Sequence, residues 1–212
     1  MDENENMTPA PQEEKTEKKK DSLLVSIYDI VETLAKVTVF VMLLFAFVIR
    51  LNIVSGHSMD VTLYGGEEVG YDQYKGGEWL AVSDLCYEPT AGDIVVIHDV
   101  SATPYDDPIV KRVIAVGGQT IDIDFDTWTV TVDGRVIDES SYLHLEGYNR
   151  VVPHVTFPLT LGENEIFVMG DNRNLSADSR IIGPIDKRCV VGKAVARVFP
   201  FGRFTVFKNP IK

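Results

Sequence analysis

An all-β domain carried behind a single membrane-spanning helix is the fold class that the sequence predicts. Three observations predict it: an apolar run near the N-terminus, short alternating segments separated by Gly, Pro and Asp after that run, and little helical periodicity beyond it. Residues 1–22 carry Pro9, Pro11 and a series of Glu and Lys, with almost no large apolar side chain. Too little surface can be buried there to offset the entropy of ordering, so a disordered, solvated tail is expected.

Residues 23–54 read as a juxtamembrane segment and one transmembrane helix. Within it, residues 37–49 form an uncharged apolar run of 13 residues between Lys36 and Arg50, shorter than the roughly 20 residues that a bilayer crossing takes. Lys36 and Arg50 extend the span by reaching with their charges to the two interfaces. A cleavable signal peptide fits poorly, because a long segment precedes the run and no small-x-small cleavage pattern follows it. A buried core helix also fits poorly, because VFVMLLFAFVI is apolar on every side. Lys15, Lys18, Lys19, Lys20 and Lys36 precede the span, which places the N-terminus in the cytoplasm and residues 55–212 outside.

Strands are expected over 79–84, 93–98, 109–116, 120–125, 165–169, 190–199 and 204–207. The clearest signal is 127–137, where Trp128, Val130 and Val132 alternate with threonines before Asp133-Gly134, the turn pair of a hairpin. With no repeat visible, residues 55–212 read as one β-rich domain of barrel or sandwich kind, and 45% hydrophobic residues are enough to fill its core. Residues 138–163 read either as a β extension or as a loop.

Composition narrows the function. A net charge of −12 argues against a nucleic-acid partner, which demands clustered positive charge. Cys86 and Cys189 form no CxxC motif and read as buried small hydrophobes, with their pairing left open. His57, His98, His144 and His154 show no metal-ligand spacing, so neither a metal nor a cofactor is implied.

A serine nucleophile needs a turn to expose it and a base to take its proton. Ser58, in SGHSMDVTL shortly after the span, meets the first condition. Lys111, among Val110, Val113 and Ile114 on an expected strand, meets the second, because burial disfavours the charged amine. By themselves both residues are ordinary: most loop serines are merely polar and most strand lysines point to water.

Four segments in order change that reading: GHSMDVTL at 56–63, GDIVVI at 92–97, KRVIAVGG at 111–118 and GDNRNLSADSR at 170–180. Together with the span they resemble the bacterial type I signal peptidases, serine-lysine dyad proteases, over most of residues 50–200. The resemblance implies an extracytoplasmic β-rich catalytic domain in which Ser58 is the nucleophile and Lys111 the general base. It makes Met59 the methionine beside the nucleophile and Ser176 the hydroxyl that orients the amine. Arg112, Asp171, Arg173, Asp178 and Arg180 become the ion pairs that hold the site. It also implies a cell-membrane enzyme, close to the secretion machinery, that cuts preprotein signal peptides bearing small residues one and three positions before the scissile bond.

Three departures stand out. Val61 replaces the proline of SMxPTL, Gly56 replaces a serine that assists the oxyanion in some members, and Ala115-Val116-Gly117-Gly118-Gln119 replaces a glycine-x-proline-glycine-aspartate turn. Gly56 leaves the oxyanion to backbone N–H groups, that of Ser58 first. Met59, Leu63 and Tyr64 face either lipid and substrate or the domain interior, the ordinary fate. The alternatives are another serine-lysine protease, of repressor or pilin-processing type, and an inert membrane-tethered β module.

Overall fold

The computed structural model describes residues 11–71, 73–98, 107–143 and 153–211, with side chains from 24 onward. Residues 1–10 of the expected tail and 144–152 of the ambiguous stretch lie outside the described residues. The chain divides into two compact units, Met1–Phe47 and Val48–Lys212.

The first unit is one helix, α1 (Pro11–Phe47). It starts well before the expected end of the tail. Pro11 suits a first helical position, and the Gln, Glu and Lys that follow are good helix formers that need no burial. Its stretch Leu24–Phe47 has 24 residues with a mean hydropathy of 2.1. The helix is therefore apolar further toward the N-terminus than the charge-free run suggests, and Lys36, paired at 2.6 Å with Glu32 one turn before it, lies within that stretch. The other end is a correction: the helix stops at Phe47, and 50–53, expected in the span, form a strand.

The second unit is built from β1 (Arg50–Ile53), β2 (Glu67–Gly70), β3 (Gln73–Lys75), β4 (Trp79–Ser83), β5 (Ile94–Ile97), β6 (Ile109–Val116) and β7 (Thr120–Asp124). The chain continues with β8 (Thr129–Val132), β9 (Arg135–Val136), β10 (Leu159–Thr160), β11 (Glu165–Met169), β12 (Ile185–Asp186), β13 (Val190–Phe199) and β14 (Thr205–Val206). An eight-stranded sheet runs β1-β4-β13-β5-β6-β11-β12 with β14 on β13; a four-stranded sheet runs β10-β7-β8-β9; β2 and β3 form a hairpin. All pairings are antiparallel. The all-β class with one N-terminal apolar helix is therefore the observed one.

β5 is buried on both faces: Ile94 and Val96 join a core with Val54, Met59, Leu63 and Leu80, while Val95 and Ile97 join another with Val113, Ile166 and Val168. That explains its unbroken apolar sequence. A third core, around Ile114, Ile121, Val130, Phe167 and Met169, joins residues of both large sheets. The turn Val116–Gln119 carries the chain from one sheet to the other. Gly118 takes φ +82° there, and a side chain at Gly117 would collide with the Glu163 backbone, so two glycines serve where the family pattern has a proline.

The hairpin at Asp133-Gly134 forms with φ of +51° and +74°, a left-handed pair as such turns require. Its first strand starts two residues later than expected. Trp128 turns the corner at φ +59° and packs edge-on against Phe125 at 5.2 Å, while the Asp124 carboxylate accepts from the Asp126 and Thr127 N–H groups. The cysteines also differ from expectation: Cys86 sits exposed in a turn at φ +49°, Cys189 is half-buried, and no disulfide joins them.

Candidate active site

Three segments converge: the turn after β1, strand β6, and residues 170–182 after β11. The turn is short and helical in type, with Leu63 N–H donating to the Met59 carbonyl at 2.8 Å and Asp60 N–H to that of His57 at 3.1 Å. Met59 and Leu63 are buried in the core and pin the turn, so neither faces lipid or substrate; Tyr64 is partly exposed. His57 Nδ1 lies 2.7 Å from Asp60 Oδ2, and its ring meets Tyr74 of β3 edge-on. Ser58 remains half-buried.

Lys111 is 3% exposed on β6, and its Nζ donates to Ser58 Oγ at 2.8 Å and to the Val110 carbonyl at 3.0 Å. Burial brings the Lys111 pKa down from 10.5 to about 8, against the opposing pull of Asp178 and Asp171, which favour the ammonium. Desolvation wins, and the amine is largely neutral at mildly alkaline pH.

Around this pair lie three arginines and three carboxylates, all buried. Arg112 binds Asp171 bidentately, at 2.8 and 2.6 Å, and donates to the Gly92 carbonyl. Arg180 binds Asp178 bidentately, at 2.7 and 2.8 Å, and also reaches the Arg173 carbonyl. Arg173 pairs with Glu139 and donates to the Gly170 carbonyl. Buried pairs of this kind fix geometry more dependably than they add stability.

The loop 170–173 ties the groups together. Gly170 N–H donates to Asp178 at 3.0 Å, Asp171 accepts the Thr62 hydroxyl at 2.5 Å, and Asn172 N–H donates to the Ser58 carbonyl at 3.0 Å. A side chain at Gly170 would strike the Ser58 carbonyl and the Ser176 hydroxyl. Ser176 Oγ is buried there and has no hydrogen-bond partner among the described residues.

A family model described as signal peptidase, peptidase S26, matches residues 27–199. The chain is 34% identical over 196 residues to a signal peptidase I of Bacillus licheniformis, covering 89% of this chain and 95% of that one. It is 30% identical over 201 residues to a signal peptidase IB of Staphylococcus aureus, covering 86% and 96%. With a probable signal peptidase I-1 of Synechocystis it shares 35% over 136 residues, 60% of this chain and 65% of that protein. The chain belongs to the signal peptidase S26 family. It is thus an enzyme of the serine peptidase class.

Two departures from the family pattern now have a conformation. Gly56 takes φ +83°, where a serine would be strained, and Gly65 packs so closely on the Gly56 carbonyl that any side chain there would collide with it. Val61 takes φ +85°. Proline is locked near −65°, so this turn conformation excludes the family's proline.

Sequence reasoning brought Ser58 to Lys111, and that juxtaposition occurs; it named Arg112 and Asp171 without pairing them, and the structure joins the two. It missed Glu139, Tyr142, Thr62 and Glu78. A signal for Glu139 existed: Arg112, Arg173 and Arg180 outnumber Asp171 and Asp178, so one buried guanidinium had to find its carboxylate elsewhere. Glu78, 1% exposed, accepts the Tyr64 N–H and pairs with Arg197 at 2.7 Å, which holds the far end of the turn that carries Ser58.

Proposed function

We propose that this chain is a membrane-bound serine endopeptidase that removes N-terminal signal peptides from exported preproteins through a Ser58/Lys111 dyad. The observation that carries the reading is the 2.8 Å hydrogen bond between a buried lysine amine, lowered to about 8, and a half-buried serine hydroxyl. In the reactive form the neutral Nζ accepts the Oγ proton as Oγ attacks the scissile carbonyl. The ammonium then returns that proton to the departing amine, leaving an acyl ester on Ser58. A water that gives its proton to the same amine hydrolyses the ester and frees the serine.

Backbone N–H groups, that of Ser58 first, hold the oxyanion, and Gly56 offers no hydroxyl to help them. The resemblance gives Ser176 the role of orienting the amine, but its Oγ makes no hydrogen bond to Nζ, which is held by Ser58 Oγ and the Val110 carbonyl instead. The pairs Arg112–Asp171, Asp178–Arg180 and Arg173–Glu139 keep the surrounding loop rigid. Substrates carry small residues one and three positions before the cut. β1 is a sheet edge whose chain leads within five residues to Ser58. An extended leader peptide added along that edge would reach the nucleophile.

The helix supports a single-pass anchor. Its mostly apolar stretch Leu24–Phe47, 24 residues long, spans about 36 Å at 1.5 Å each, beyond the ~30 Å hydrocarbon core. In this reading the lysine-rich N-terminus lies in the cytoplasm, the β unit lies outside the cell membrane, and preproteins arrive from secretion machinery nearby.

The test compares detergent-purified wild type with Ser58→Ala and Lys111→Ala on a preprotein carrying an Ala-x-Ala cleavage site. Each variant should lose at least about a thousandfold in kcat. Near-normal cleavage by either one defeats the dyad.

A further inference from the structure

The segment that follows β9 reaches the loop 170–173 through Arg173 and Arg112. Tyr142 and Leu143 both donate their N–H groups to the Glu139 carbonyl, at 3.1 and 2.8 Å, which winds residues 139–143 into one tight turn. That turn sends two buried side chains, Glu139 and Tyr142, toward residues 112 and 173. Tyr142 Oη donates to Glu139 Oε1 at 2.9 Å, so the two are joined before either meets its target.

Glu139 then takes the Arg173 guanidinium through both carboxylate oxygens. Tyr142 places its ring under Arg112, with Cζ 4.1 Å from the ring centroid. The two arginines stand at the two ends of the hydrogen-bond chain that reaches the nucleophile. Arg173 holds the Gly170 carbonyl at 3.0 Å, and Arg112 holds Asp171, which in turn receives Thr62 of the nucleophile turn. Between them, Asn172 N–H binds the Ser58 carbonyl. Arg112 is also the residue next to Lys111 on β6.

We infer that Glu139 and Tyr142 are positioning residues for the peptidase reaction: a two-residue clamp that holds Arg173 and Arg112, and through them loop 170–173, so that Ser58 and Lys111 stay aligned. The inference rests on the dyad reading above. Neither residue touches Ser58 or Lys111, and the clamp acts through the arginines. Glu139 supplies the third carboxylate for three buried arginines, and removing its charge leaves Arg173 uncompensated. Tyr142 contributes its ring to Arg112 and its hydroxyl to Glu139, two functions that substitution separates.

The experiment measures kcat and KM on one preprotein substrate for wild type, Glu139→Gln, Glu139→Asp, Tyr142→Phe and Tyr142→Leu, each normalised to folded protein by near-ultraviolet circular dichroism. Ser58→Ala and Lys111→Ala run beside them. The expected result is a fall in kcat of tenfold or more for Glu139→Gln and Tyr142→Leu with KM within threefold of wild type. Tyr142→Phe, which keeps the ring, should stay within fivefold, and Glu139→Asp, which keeps the charge, should recover part of the loss.

Wild-type kcat per folded molecule in both Glu139→Gln and Tyr142→Leu overturns the clamp and leaves only a structural role. A rise in KM with kcat unchanged overturns it in favour of substrate contact. If Glu139→Gln yields no folded enzyme, the contrast between Tyr142→Phe and Tyr142→Leu decides by the same criterion. Inactive Ser58→Ala and Lys111→Ala beside fully active clamp variants reject the clamp alone; active Ser58→Ala rejects the dyad.

Discussion

The two segments that meet at the proposed dyad, the turn carrying Ser58 and strand β6, are built in opposite ways. β6 is an eight-residue strand, buried from Val110 to Ala115, that pairs with β5 over Ile109–Arg112 and with β11 over Arg112–Val116, with one register shift at Ile114. The turn of residues 54–65 is irregular, half-buried, and bent through left-handed backbone at Gly56 and Val61. A base must be withdrawn from water to lose its proton at an accessible pH. An interior strand does that without stranding backbone N–H and C=O groups, which the sheet already satisfies. A nucleophile must instead present its oxygen to an incoming peptide, and only a turn can. The penalties differ accordingly: β6 carries a desolvated amine, and the turn carries a β-branched residue at φ +85°.

Three measurements break or sharpen that contrast. The largest effect belongs to the charged loop facing both segments: Asp178→Asn leaves Arg180, fully buried, without its carboxylate. Loss of one partner from such a pair costs about 3–5 kcal/mol, to be read as a lower midpoint in urea unfolding. A change near zero would mean that the pair is solvated and that the loop does not hold the site.

Next comes the lysine itself. Its folded pKa is lowered from 10.5 to about 8, and each unit corresponds to about 1.4 kcal/mol. Below pH 8 both folded and unfolded states hold the proton, and the fold bears the whole cost of the buried charge. Between pH 8 and 10.5 the unfolded state holds a proton that the folded state has released, so stability rises with pH. Lys111→Met should therefore be about 3–4 kcal/mol more stable than wild type at pH 7, with the gap closing by pH 10.5. Wild-type kcat/KM should fall with acidification through pH 8 as the ammonium forms. A pH-independent stability gap, or activity flat from pH 9 to about pH 5, would show that β6 does not tune the amine.

The smallest effect tests the turn. Val61→Gly removes a left-handed β-branched residue, worth about 1–2 kcal/mol, and gives back about 0.5–1 kcal/mol in glycine's extra unfolded-state entropy. A net gain below about 1 kcal/mol, seen as a rise of a few degrees in Tm, with kcat little changed, would locate strain in the turn apart from the chemistry.

Most of the β scaffold was legible before any coordinates. The strands Ile109–Val116, Glu165–Met169 and Val190–Phe199 fall on their expected boundaries, because period-two alternation and bounding turn residues are local signals. Arg50–Ile53 was misread as membrane helix. A continuous apolar texture does not say where a helix stops, and only pairing with β4 recruits these residues as a strand. The exposed Cys86 was missed because its turn, not its residue type, sets its burial.

By itself, then, the sequence determined the apolar N-terminal helix, most of the strands, the family, and the candidates Ser58 and Lys111. All of these depend on residues within a few positions of one another or on a linear string. Tertiary structure decided the contacts by which these groups share the site, and added Glu139 to it. Lys111 meets Ser58 across 53 residues, Arg112 meets Asp171 across 59, and Arg173 finds Glu139 across 34. A charge that must be paired once buried announces that a partner exists, but the chain's path through two sheets selects which carboxylate arrives.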